Sequence, residues 1–222
     1  MTLTFLDIYN ECAGQPWSMF DNDAESDEDF ESAMKISINK AISYLWNLQP
    51  WSFRKYTQKL RTKVDRALYV KPNGIIIKKT IDGTTKYGVK YEKTFLDYQS
   101  DYELLEDKTG EPEAFYLQGD NLYLYPTPDD VYNIEIEYLL LPYGLNKDDE
   151  QIYELTEDDD YINIPEKYES LFKNCLISLA MIYAIADNSD ENHSGYQRQY
   201  EDCLKTLMQY CLDTLVDRNF VW

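Results

Sequence analysis

A single histidine, His193, occurs in 222 residues. It falls in a polar connection between two helical patterns and reads as a surface position. The chain also has no G-x-S-x-G, P-loop, dinucleotide-type glycine pattern or H-E-x-x-H. One histidine without such a frame argues against a His-based triad, and only carboxylate chemistry stays open in principle. The four cysteines, Cys12, Cys175, Cys203 and Cys211, include no C-x-x-C. Three of them sit on apolar faces of helical patterns, so they read as core thiols of a reducing compartment. The longest apolar run, "LISLAMIYAIA", is too short to span a bilayer. The opening "MTLTFLDIYNEC" has no basic n-region and is not read as a signal peptide.

Positive charge is scarce. Lys and Arg number 21 against 41 Asp and Glu, a formal net charge of −20. The average surface repels free nucleic acid, so a nucleic-acid reader is not expected. The scarcity is uneven. Between Arg54 and Lys93 there are 12 basic and 3 acidic residues, a net of +9, and the remainder carries 9 and 38, a net of −29. Two readings follow. The two parts are solvated surfaces of opposite sign, or the basic part of one copy lies beside the acidic part of the next.

What is plentiful is tyrosine, with 21 residues in a chain that is 44% hydrophobic. That supports a real core, and tyrosine suits half-buried sheets and interfaces. A tyrosine-rich sheet is also a conceivable sugar platform, giving a glycan- or ligand-binding β module as the alternative function. The acidic runs "DNDAESDED" and "DDE…EDDD" lack the glycine-bearing calcium loop and read as solvated. Glu135 and Glu137 have the i, i+2 spacing of paired strand carboxylates, as do most charges on one wet strand face. No metal, cofactor or enzymatic activity is expected.

Periodicity divides the chain. Residues 2–12 read as a short amphipathic helix with Thr2 or Thr4 as cap. Ser26 and Asp29 resemble a capping box ahead of a helix carrying Phe30, Met34, Ile38, Ala41, Ile42 and Leu45 on one face, ended by Pro50. From Trp51, bulky residues interleave with charges, as on a half-wet strand. "GIIIKKTIDGTTKYGVKYEKTF" reads as a hairpin turning at Asp82-Gly83. Residues 96–109 read as a polar linker. Phe115 to Tyr125 forms a second hairpin through "QGDN", and Tyr132, Ile134, Ile136 and Tyr138 alternate with Asn133, Glu135 and Glu137. Together these suggest a three-stranded meander broken by "PTPDD", whose prolines cannot donate a full ladder. After an acidic loop with a short strand at "IYEL", Pro165 at N1 opens a central helix bearing Leu171, Cys175, Ile177, Leu179, Ile182 and Tyr183. A last helix carries Tyr196, Tyr200, Cys203, Leu204, Leu207, Cys211 and Leu215.

The expected class is α+β. A bundle of N- and C-terminal helices (1–48 and 162–218) receives an inserted antiparallel β domain (49–147). An acidic loop (148–161) and a short C-terminal tail (219–222) complete the chain.

Three stretches in this order carry a family resemblance. "NKAISYLWNLQPWSF" ends a helix in Pro50, Trp51 and Phe53. "LYVKPNGIIIKKTI" places a Val/Ile-rich strand after Pro72. "EPEAFYLQGDNLYLYPTPDDVYNIEIEYLLLP" runs strand, Gly119 turn, strand, Tyr125, Pro126, Pro128, Asp129, and a strand with Ile134, Ile136 and Tyr138. "NIPEKYESLFKNCLISLAM" then matches a proline-led C-terminal helix. Over roughly residues 3–185 the chain resembles the head-to-tail adaptor, or connector, proteins of short-tailed bacteriophages. Its tyrosine-rich, acidic composition is similar to ring proteins of crAss-like phages.

The resemblance implies a structural virion protein made in the host cytoplasm and built into the neck. It implies a ring, commonly dodecameric, beneath the portal protein. Other neck or tail proteins would be partners, DNA would pass without specific binding, and no membrane is involved. The interface residues expected are Arg54, Lys55, Arg61, Lys78 and Lys79 from the basic segment, and Tyr125, Pro126, Pro128 and Asp129 from the "PTPDD" region. Phe220 and Trp222 of the tail complete the set.

Overall fold

The structure, a computed structural model, describes residues 3–15, 27–100, 108–185 and 191–212, with backbone alone at 27–30, 191 and 212. The class is α+β, with helices flanking a β region. The described residues form two compact units. One consists of the described residues within Met1–Phe53 and Pro142–Leu215, and the other of those within Arg54–Leu141.

In the first unit, α1 (Phe5–Ala13) starts at Thr4. The Thr4 hydroxyl accepts from the Asp7 N–H at 3.2 Å, and the Asp7 carboxylate accepts from the Thr4 N–H at 3.3 Å. This reciprocal pairing satisfies two helix-end donors. It selects Thr4 from the two caps expected. α2 (Asp27–Leu48) buries Met34, Ile38, Ala41, Ile42 and Leu45 of the stripe its spacing predicts, and the Phe30 side chain lies outside the described residues. Ser26 of the expected capping box lies outside the described residues. The expected half-wet strand from Trp51 is corrected. Trp51 and Phe53 are buried, residues Ser52–Arg54 form a 3-10 turn, and the strand starts at Lys55. The Trp51 indole N–H donates to the Leu45 carbonyl at 2.6 Å, and Phe53 lies among Trp46, Trp51, Tyr168 and Phe172. An aromatic cluster with a satisfied indole binds this turn to the helices more strongly than strand pairing would.

α3 (Glu166–Ala184) packs against both α2 and α4 (Glu191–Leu212), so it is central as expected. Pro165 is its N-cap, one position before the N1 site anticipated. Leu179 is buried, while Ile182 is only half-buried. His193 lies on the first turn of α4 rather than in a connection.

In the β unit, the central strand Asn133–Leu140 pairs antiparallel with the edge strand Lys55–Arg61 along one side. Val89–Tyr91 and Gly74–Ile76 pair along its other side. A second sheet joins the hairpin Ala114–Gln118 and Asn121–Tyr125 to Leu68–Val70 and Asp97–Tyr98. Phe115, Leu122 and Leu124 from this sheet meet Val89, Ile134 and Ile136 from the first in one buried cluster. The expected meander is therefore corrected. Its third strand belongs to the opposite sheet. Thr127–Pro128 pairs parallel with Thr109–Gly110, not with the hairpin, so the "PTPDD" segment passes the chain between sheets. Within the expected linker, Asp97–Tyr98 and Thr109–Gly110 are short strands, and 101–107 lie outside the described residues.

Candidate interaction surfaces

Alternation in the edge strand puts Lys55, Thr57, Lys59 and Arg61 on one face, opposite Leu139, Glu137, Glu135 and Asn133. Lys90 pairs across from Glu135, and Ile75 from Leu139, on the same face. The hairpin Lys78–Ile81 and Thr84–Tyr87, turned by Asp82 and Gly83 at positive φ, brings Lys79 to Glu137. The Glu137 carboxylate lies 2.5 Å from both Lys79 Nζ and Lys90 Nζ. Burial alone would raise its pKa, but the hydrogen bonds from Lys79 and Lys90 outweigh burial and hold it below the ordinary value. Burial and the nearby Lys79 push the Lys55 ammonium down. The face that pattern alone reads as wet and acidic is thus rich in lysine, with one carboxylate sunk beneath two ammonium groups. Lys59, Lys90 and Glu137 escape sequence reasoning because strand register brings them together. The only sequence signal is the basic excess of 54–93.

The other expected interface residues fall elsewhere. Arg54 is 2% exposed, and its Nε donates to the Leu140 carbonyl at 3.0 Å. Burial lowers its pKa to about 10. It is a buried cation fixed to backbone and does not join the surface. Lys78 Nζ stands 5.2 Å from the Tyr87 ring centroid. Tyr125 and Pro126 are half-buried, and Pro128 is buried, its carbonyl accepting from the Asp65 N–H at 2.8 Å. Asp129 is exposed and accepts from the Tyr132 hydroxyl at 2.5 Å, which pushes that phenol up to about 12. Phe220 and Trp222 lie outside the described residues.

Tyrosine rings on the sheets engage one another. Tyr116 and Tyr123 stack at 4.4 Å between centroids and 5° between planes. Tyr91 and Tyr132 meet edge to face at 5.2 Å. A sugar platform needs open ring faces, and the stacked pair uses two of its faces on each other.

The helical unit carries the opposite charge. Residues 146–160 join three short strands, Gly144–Leu145, Gln151–Ile152 and Tyr161–Ile162. The Asn146 side-chain Oδ1 accepts from the N–H groups of Asp148 and Glu150, each at 2.9 Å. The buried Asp160 carboxylate accepts from Thr156 N–H at 2.7 Å and Glu157 N–H at 2.9 Å. Internal polar closure of this kind gives a loop one shape. Its outer side shows Asp148, Asp149, Glu150, Glu154, Glu157, Asp158 and Asp159, with Tyr153 57% exposed among them. No helix among the described residues is long and apolar enough to cross a membrane.

No curated protein matches the sequence. The family model of the SU10 adaptor protein matches residues 9–219. That span takes in both units and all the stretches whose order resembled a head-to-tail adaptor, and on it the chain belongs to the SU10 adaptor protein family, as a phage adaptor and structural protein.

Proposed function

We propose that the protein forms a ring in the phage neck that joins the portal to the tail and extends the DNA channel. The observation that carries this reading is the adaptor-family match over 9–219. Physical chemistry supports it. A ring needs a heterologous contact between two different surfaces of one chain, closing after a fixed number of copies. A lysine-bearing sheet face and an acidic loop are two such surfaces, of opposite charge. A net charge of −20 suits a conduit that DNA traverses without counterion-release binding. The role is structural, with no turnover. A dodecamer, portal contact and a place in the virion neck are what the family resemblance implies.

Light scattering and electron microscopy of the purified chain, alone and with purified portal protein, test this. A closed multimer in either condition is expected. A chain that stays a single protomer in both, or that binds sugar stoichiometrically as a protomer, overturns it.

A further inference from the structure

We propose that the acidic loop 148–159 of one copy docks on the lysine-bearing sheet face of a second copy, with Tyr153 against Ile75 and the loop carboxylates along Lys55, Lys59 and Arg61. This rests on the ring reading and gives its lateral contact.

The charge on the sheet face is unbalanced. Lys55, Lys59, Arg61, Lys79 and Lys90 share it with Glu135 and Glu137. Glu137 engages Lys79 and Lys90, so the excess lies along the edge strand. Lys59 reaches Glu135 only at 4.0 Å with its side chain 82% exposed, and Arg61 has no ionic partner among the described residues. Ile75, half exposed, adds an apolar anchor on this face.

The loop presents the complementary set. Seven exposed carboxylates stand against one exposed lysine, Lys147. Among the described residues three have side-chain partners: Asp158 is 3.8 Å from Lys35, Asp149 accepts from the Tyr161 hydroxyl, and Glu150 accepts from the Asn146 amide. Tyr153 gives the loop a large amphipathic side chain of the type that anchors interfaces. The loop is already rigid. Asn146 and Asp160 fix its turns, and the α1 N-terminus holds it, the Phe5 N–H donating to the Asp160 carbonyl at 2.8 Å. Docking therefore costs little ordering entropy. Each exposed ion pair is weak, about 0–1 kcal/mol, so an apolar anchor inside a charged rim is the arrangement that gives both affinity and register.

Charge swapping tests the pairing. One variant carries Lys59→Glu and Arg61→Glu. The other carries Glu154→Lys, Glu157→Lys and Asp159→Lys, three residues whose carboxylates have no hydrogen-bond or ion-pair partner among the described residues. Circular dichroism first establishes that each is folded. Multimer formation is then measured by light scattering, under the condition in which the wild-type chain assembles, for each variant alone and for an equimolar mixture. Each variant alone should lose the multimer. The mixture should regain it, because every reversed surface meets its complement. Tyr153→Ala alone should raise the protein concentration needed for assembly. Folded variants that assemble like wild type, or that a mixture does not rescue, overturn this contact and leave the ring reading standing. A wild-type chain that forms no multimer, alone or with portal, overturns the ring reading and this contact with it.

Discussion

Asn39 of α2 clamps the backbone of Leu155 at two points. Its Nδ2 donates to the Leu155 carbonyl at 2.8 Å, and its Oδ1 accepts from the Leu155 N–H at 2.9 Å. The Tyr143 hydroxyl donates to the same Oδ1 at 3.1 Å. All three groups are buried. An asparagine amide is the side chain that mimics a peptide group, so one residue completes the hydrogen bonding of an extended segment that has no full ladder there. Burial, helped by the nearby Glu154 carboxylate, pushes the Tyr143 phenol well above its ordinary range.

Asn39→Ala should therefore leave a buried N–H, a carbonyl and a hydroxyl unpaired. The expected loss is on the order of 3 kcal/mol, since each stranded polar group costs about 1–3 kcal/mol and water reaches some of them. Urea unfolding reads it. The change should also loosen the acidic loop, seen as faster amide exchange at 153–157. A variant with parent-like stability and exchange shows that the clamp contributes nothing.

Leu179 of α3 is 4% exposed, whereas Ile182, one turn on, is half-buried. Leu179→Ala should destabilise by about 2–5 kcal/mol as a cavity mutation. Ile182→Ala should do less, because partial exposure reduces the transfer term. Thermal melts of the pair check the order, and an inverted ranking would misplace the core face of α3.

Local features of this fold are legible in the sequence, and long-range ones are not. The Thr4 cap, the α2 stripe, and the Asp82-Gly83 and Gly119-Asp120 turns depend on residues a few positions apart. Strand pairing does not. Asn133–Leu140 pairs with Lys55–Arg61, more than seventy residues earlier, and alternation alone leaves its partner open. The meander fails for that reason, and so does the wet acidic face: Glu137 looks solvated until register sets it under Lys79 and Lys90. Arg54 shows the same limit. Its basic neighbours mark a surface, yet a backbone carbonyl inside the unit holds it. The charge excess of 54–93 survives as a real surface property because it is a sum over many residues.

Gly88 lies where the lysine hairpin leaves the first sheet. Its N–H donates to the Ile77 carbonyl at 2.7 Å, and its carbonyl accepts from the Glu137 N–H at 2.7 Å. A Cβ there would meet the Glu137 Cβ at 2.8 Å and the Glu137 carbonyl oxygen at 3.0 Å. Gly88→Ala should force the hairpin off the central strand at a cost of about 1–3 kcal/mol, the range for overpacking. Gly83→Ala meets open space and carries only the left-handed backbone penalty, about 1 kcal/mol. Equal melting temperatures for the two variants would contradict this.

Glu137 gives the β unit a defined acid response. Its carboxyl is held below the ordinary value of 4.5 by Lys79 and Lys90, against the opposing effect of burial. A depressed carboxyl favours the folded state above the unfolded pKa, because the unfolded chain binds the proton more readily. The contribution is fully present at neutral pH and is lost as pH falls below about 4.5, through the folded value. Glu137→Gln removes the charge but keeps an acceptor. At pH 7 it should destabilise by about 1–2 kcal/mol, since two partly buried ammonium groups lose their counter-charge. Between about pH 5 and 3 the variant should lose less stability than the parent, so the gap between them narrows as pH falls. Urea unfolding at several pH values measures the gap. A gap that stays constant or widens on acidification would show that the Lys79–Glu137–Lys90 cluster does not stabilise the fold through the charge of Glu137.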